Sequence, residues 1–184
     1  MKNSRDLSLV IIVVVLNFTI MLITNQITSV IYVVGLSYVF TIFYAINASV
    51  AWLMYEGRRW RILFQAILFN TLTSLLIPSS TIVLGVAAVL HAFTADLIFI
   101  SFYRQFKTNN RLLWWIILLQ IYFWVTSPFF TFVFLASFVY PINSVLNIFL
   151  IPTLTVGLPI MIIEAIAGAI IGFKIFQRVE NIYY

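Results

Sequence analysis

The stretch LSLVIIVVVLNFTIMLITNQITSVIYVVGLSYVFTIFYAINASVAWLMY, residues 7–55, contains no charged side chain. One helical crossing of a bilayer takes about 20 apolar residues, so a run of this length can go out and come back. Asp6 precedes the run and Glu56 ends it. Two further runs repeat the pattern. Between Arg61 and Arg104 the only charged residue is Asp96, and between Arg111 and Lys174 it is Glu164. The basic residues therefore fall into four clusters: Lys2/Arg5, Arg58/Arg59/Arg61, Arg104/Lys107/Arg111 and Lys174/Arg178. Lys and Arg are held on the cytoplasmic side of membrane proteins. The pattern predicts three helical hairpins, each leaving the cytoplasm and returning to it.

Composition agrees with a lipid solvent. The 184 residues are 64% hydrophobic and 8% charged, where a soluble domain carries about 25% charged residues. The expected fold is an all-α polytopic bundle of six transmembrane helices in one domain, residues 1–184, with both termini cytoplasmic. The net charge of +5 does not point to nucleic acid, because the basic residues sit at predicted membrane edges, where anionic headgroups meet them. Cysteine is absent, which excludes disulfides, thiolate metal sites and cysteine nucleophiles.

The helices are expected near 7–27, 32–55, 61–77, 81–103, 112–139 and 150–176. Pro78-Ser79-Ser80 reads as an outer turn, with Ser80 or Thr81 as a helix cap. Residues 104–111 read as a polar cytoplasmic loop. Trp114 and Trp115 suit the interface. The last hairpin is irregular: Ser127-Pro128, Tyr140-Pro141, Pro152 and Gly157-Leu158-Pro159 all interrupt it. The final helix begins either near Val145 with a kink or after an outer loop element ending near Thr155.

Glu164 is the most exceptional residue, since an ionisable group inside a membrane is costly. Two readings fit it: a polar anchor in a binding site, or a carboxyl that fixes helix packing. Asp96 lies nearer the cytoplasm and reads as structural, with Arg58, Arg59, Arg61 or Arg104 as partners. His91, the only histidine, reads as a hydrogen-bonded packing residue. Asn17, Asn25, Gln26, Asn47, Gln65, Asn70, Gln120, Asn143 and Asn147 read as helix cross-links, with those at outer ends free to line a pocket. Tyr122, Phe123, Trp124, Phe129, Phe130 and Tyr140 could stack on a flat ring. Ala165/Ala169 and Gly168/Gly172, each pair four apart, make a groove for close helix approach. It serves either internal packing or docking of a partner subunit.

No zinc-protease, nucleophile-elbow or phosphate-loop motif is present. No metal, cofactor or enzymatic activity is expected.

Two stretches carry a family resemblance. One runs from Ile77-Pro78-Ser79-Ser80 through Gly85-Val86-Ala87-Ala88 to Ala95-Asp96-Leu97-Ile98. The other is Leu158-Pro159-Ile160-Met161-Ile162-Ile163-Glu164-Ala165-Ile166-Ala167-Gly168, followed by Lys174-Ile175-Phe176-Gln177-Arg178. With six helices and cytoplasmic ends, the chain resembles the membrane-embedded S component of an energy-coupling factor (ECF) transporter. It differs in helix 1, which lacks an Ala-x-x-x-Ala pair. The resemblance implies a vitamin-like substrate, neutral or cationic, held near the outer surface by Glu164, Trp124, Tyr140 and Asn143. It implies partners as well: a transmembrane coupling subunit, met through Ala165, Gly168, Ala169 and Gly172, and cytoplasmic ATPases. A non-catalytic accessory subunit of a respiratory or secretion complex is the rival expectation.

Overall fold

The structure, a computed structural model, describes the backbone of residues 2–30, 41–76 and 82–183, and side chains over 7–27, 41–75 and 82–180. Every regular element among them is a helix. α1 spans Lys2–Val30, α2 Thr41–Met54, α3 Arg61–Leu76, α4 Ile82–Thr108 and α5 Leu112–Phe138. α6 is composite. Ile142–Val145 passes through two π-helical stretches, Leu146–Leu150 and Thr153–Gly157, into a long body, Leu158–Tyr183. The expected start of the second helix at 32, the end of the third at 77, the Pro78-Ser79-Ser80 turn and the Ser80 or Thr81 cap lie outside the described residues.

Four helices, α1, α4, α5 and α6, are each long and apolar enough to cross a membrane. α2 is apolar over a shorter described length, and α3 has 16 described residues. The side chains facing outward from the bundle include Ile11, Ile12, Leu97, Leu118 and Ile163. An apolar exterior of this kind is stable only in lipid. The chain is a membrane-embedded, multi-pass helical protein.

Two boundaries differ from the sequence reading. α4 continues through Thr108, so the expected 104–111 loop shrinks to 109–111. Asn110 adopts φ 54° there, the left-handed turn that asparagine tolerates best among non-glycine residues. α5 runs through Ser127-Pro128 to Phe138, one residue short of the expected 139, with Pro128 inside the helix and buried. α6 begins at Ile142, ahead of the expected 150 and close to the alternative of a kinked start near Val145. Pro152 and Pro159 supply no N–H, and the backbone adjusts by widening into a π turn ahead of each. Thr153 and Thr155 donate their hydroxyls back to the carbonyls of Phe149 (2.6 Å) and Ile151 (2.9 Å). Such back-bonding keeps irregular helix satisfied where no water reaches it. Trp115 also departs from expectation: it is buried, and its indole N–H donates to the Phe99 carbonyl at 2.9 Å. Trp114 is 61% exposed, as an interfacial indole should be.

The helices form a closed ring in the order α1, α3, α4, α5, α6, α2 and back to α1. α2 also touches α5 across the ring. That crossing divides the bundle: α1 to α5 surround one interior, and α6 packs outside it, in the groove between α2 and α5.

The α6–α2 seam is the tightest. A Cβ placed on Gly168 would stand 2.5 Å from the Cβ of Ala45, and one on Gly172 would stand 2.6 Å from that of Ser49. Ala165 and Ala169 are fully buried on the same stripe. The small-residue face that could have docked a partner subunit is thus occupied by this chain's own α2.

The turn between α2 and α3 lies against the last turns of α4. Gly57, at φ 68°, lets its backbone rest on the Tyr103 ring, where a Cβ would come within 2.6 Å. Glu180 of α6 also reaches toward Tyr103. Clustered charges from α3, α4 and α6 therefore gather at one end of the bundle.

Candidate functional site

Between α1 and α5 lies a cavity of about 370 Å³, within the range of small-molecule sites. It extends from the level of Trp52 and Ile62 to that of Thr41 and Ser127. At 1.5 Å rise per residue, the distance along α2 from Thr41 to Trp52 is about 16 Å. None of its lining residues carries a formal charge.

Its polar groups arise from the way neighbouring helices are joined. On α5, Gln120 is fully buried and donates to the Ala45 carbonyl at 2.9 Å and to Ser49 Oγ at 2.8 Å. Its Oε1 accepts the indole N–H of Trp124 at 2.9 Å. One side chain thereby fixes the α2–α5 crossing and sets the rotamer of Trp124. On α3, Gln65 Oε1 accepts the Tyr55 hydroxyl at 3.0 Å. Its NH2 group is left as a donor on the cavity wall. Asn17 Oδ1 accepts from Asn47 Nδ2 at 2.7 Å, which joins α1 to α2 and likewise leaves an NH2 donor. Asn70 spends Nδ2 on the Ala66 carbonyl at 2.8 Å and keeps Oδ1 as an acceptor.

His91 joins α4 to α5. Its Nε2 lies 2.7 Å from Thr126 Oγ1, and that hydroxyl donates to the Tyr122 carbonyl at 2.7 Å. With the Thr126 proton so committed, His91 must donate through Nε2–H, and Nδ1 is an acceptor. Tyr122 adds a second rung by donating to Thr94 Oγ1 at 2.8 Å. The imidazole packs against Phe123, with ring centres 4.4 Å apart, and against Phe130 at 5.2 Å. Phe123 in turn meets Trp52 at 5.2 Å and Trp124 edge-on at 6.1 Å. The cavity thus has an aromatic wall made by three helices, α2, α4 and α5.

Of the residues singled out from sequence for substrate contact, Trp124 lines this cavity and Glu164, Tyr140 and Asn143 do not. Tyr140 is 58% exposed in the bend between α5 and α6, and Asn143 is exposed one turn beyond it. Glu164 is buried on α6, where its carboxyl faces the start of α2 near the backbone N–H of Ile42 and its Oε2 has no hydrogen-bond partner among the described residues. Its place follows from the ring: α6 lies outside the α2–α5 crossing, so its inner face meets α2. Of the two readings of Glu164, the packing carboxyl is the one that fits this contact.

Asp96 plays a similar joining role. Its Oδ2 accepts the N–H of Leu63 at 2.8 Å, and the N–H of Ile62 lies near the same carboxyl. These are first-turn donors of α3, without partners inside their own helix. An acidic group from α4 thereby caps the positive end of α3. Glu164, Asp96 and His91 sit on separate seams and form no common centre, and no cluster of metal-ligating residues occurs among the described residues.

The sequence reading gave no weight to Gln65, Gln120 and Asn17 as cavity residues, although it flagged them as buried amides. Their shared signal is an amide side chain within an apolar helix, near mid-run for Asn17 and Gln120 and one turn from Arg61 for Gln65.

Comparison with family models, with curated proteins and with solved structures finds no match to this chain.

Proposed function

We propose that this chain is the substrate-binding membrane subunit of an uptake transporter, similar to an ECF S component. The substrate is a small, neutral, flat molecule bearing both hydrogen-bond donors and acceptors, such as a vitamin-like heterocycle. The observation that carries this reading is the uncharged cavity between α1 and α5, with aromatic side chains beside amide and imidazole groups.

The chemistry selects against ions. A charged ligand entering a site without a counter-charge loses hydration that nothing replaces. Glu164, which alone could have favoured a cation from the outer side, turns to α2 instead. A flat ring could stack against Trp124 or Phe123, while Gln65 and Asn17 offer N–H donors and Asn70 and His91 offer acceptors. Fixed polar groups in an apolar pocket are how such sites gain specificity.

In this reading the chain crosses the cell membrane six times, with both termini in the cytoplasm. The gathering of basic clusters at one end of the bundle supports that orientation. Energy comes from a separate coupling subunit and cytoplasmic ATPases, and those partners meet a surface other than the small-residue face of α6.

Purification from the native source in mild detergent, followed by mass spectrometry of extracted small molecules and co-purifying proteins, tests the reading. It predicts a stoichiometric neutral compound together with ATPase subunits. Redox or secretion subunits with an empty cavity would overturn it in favour of an accessory role.

A further inference from the structure

A second concavity, of about 510 Å³, opens at the charged end of the bundle. It lies between the α2–α3 turn and the last turns of α4, and no part of the central cavity belongs to it. Arg59 comes from the turn, and Arg104 and Lys107, three apart on one helix face, come from α4. Glu56 is the one carboxylate in the lining, and it is engaged by Arg58 at 3.2 Å. Three cations against one anion leave the lining at a net charge of +2.

The groove is built rather than incidental. Its floor is the buried Tyr103 ring. Gly57 closes on that ring in a conformation that a side chain would not allow. The Lys107 ammonium stands 6.0 Å from the same ring centre, at the outer range of a cation–π contact.

Its surroundings indicate the ligand. Leu97, Ile98 and Phe102 of α4 are exposed immediately beside the groove, as a surface for acyl chains would be. Trp60, stacked on Phe93 with centres 5.7 Å apart, and Trp114 stand at this end of the bundle. Exposed indoles mark headgroup depth. A basic groove at headgroup depth, continuous with a lipid-facing apolar strip, fits an amphiphile better than a free anion.

We propose that this groove binds the phosphate-bearing headgroup of an anionic phospholipid. Arg59, Arg104 and Lys107 hold the headgroup, and its acyl chains lie along the outer face of α4. The choline of a zwitterionic lipid would bring an ammonium toward the same cations and be disfavoured. The site does not depend on the transporter reading.

The test is native mass spectrometry of the full chain in detergent, with phosphatidylglycerol and phosphatidylcholine of identical acyl chains offered in competition. The wild-type protein should retain phosphatidylglycerol preferentially as one discrete adduct. R104Q and K107Q should each lower that retention about fivefold, the worth of one basic residue at an anionic surface. The paired control K174Q/R178Q, two exposed α6 cations that do not line the groove, should leave it unchanged. Equal retention of the two lipids by wild type, which needs no variant, would overturn the proposal. So would an equal loss in the α6 control, which would mean diffuse attraction. Displacement of the lipid by millimolar inorganic phosphate would overturn it too, in favour of a soluble-anion site.

Discussion

Gly168 of α6 lies so close to Ala45 of α2 that a Cβ on the glycine would meet the alanine Cβ at 2.5 Å and the Ala45 carbonyl carbon at 3.0 Å. The second contact is with backbone, which cannot rotate away. Without a hydrophobic force between helices in lipid, this close approach is what holds α6 to the bundle. Gly168→Val should therefore destabilise the protein by at least about 1–3 kcal/mol, the cost of overpacking a tight core. Gly172→Val, facing Ser49 and the Ile46 carbonyl, should act alike. Thermal unfolding followed by intrinsic fluorescence in detergent checks both. An unchanged midpoint would mean that α6 is held by something other than this seam.

Asp96 and α3 give a second expectation. Removing a side chain that caps a helix costs about 0.5–2 kcal/mol. Asp96→Ala should lose that amount and accelerate hydrogen exchange at the Leu63 amide, which the carboxyl holds. Asp96→Asn keeps an acceptor oxygen and should recover most of the protection. If Asn behaves like Ala, the carboxylate's charge matters more than its hydrogen bonds.

Gln120 tests the α2–α5 crossing. Gln120→Leu keeps the volume but removes both donations to α2 and the acceptor for Trp124. Polar helix–helix contacts in membranes are worth about 0.6–1.7 kcal/mol each, so a loss of about 1–2 kcal/mol is expected. The Trp124 indole would also lose the bond that fixes its orientation. A red or blue shift of tryptophan emission in Gln120→Leu, absent in Gln120→Leu/Trp124→Phe, would assign the change to that residue.

Much of the architecture was legible because lipid imposes it. Charge-free runs announce crossings, and small residues four apart announce a close seam. Which helix faces which was not legible. α5 and α6 are apolar on nearly every side, and a helix that is hydrophobic all round gives no direction to its faces. Glu164 illustrates the limit. Its rarity marked it as important and its position gave its depth, but only the ring order shows that it points to α2 instead of the cavity. Tyr140 and Asn143 were placed by depth alone and lie outside the cavity for the same reason. Trp124 does line the cavity, because it stands one turn from Gln120 on the same face of α5. The π turns of α6 were hidden too. The prolines that cause them read equally well as loop breakers, and only the hydroxyls of Thr153 and Thr155 show how the backbone stays helical.

The cavity supplies the sharpest prediction, because filling it should separate stability from function. Ala48 of α2 and Ala88 of α4 both line it. Phe at either position projects into space instead of into a packed core. Ala48→Phe should therefore cost little stability, in contrast to Gly168→Val, where the new atoms meet backbone. A cavity of about 370 Å³ that must also admit a phenyl ring cannot hold a heterocycle of similar size. Binding should fall by at least about 100-fold, on the scale of losing the best-packed part of a site. His91→Phe gives the complementary result: the aromatic wall survives and the Nδ1 acceptor is lost. It should lower affinity about 10-fold, as expected for one unmade hydrogen bond in a dry pocket. Binding is read by isothermal titration or by tryptophan quenching with the compound recovered from the native protein. Full-strength binding by Ala48→Phe would place the ligand elsewhere and remove the ground for treating this cavity as the site.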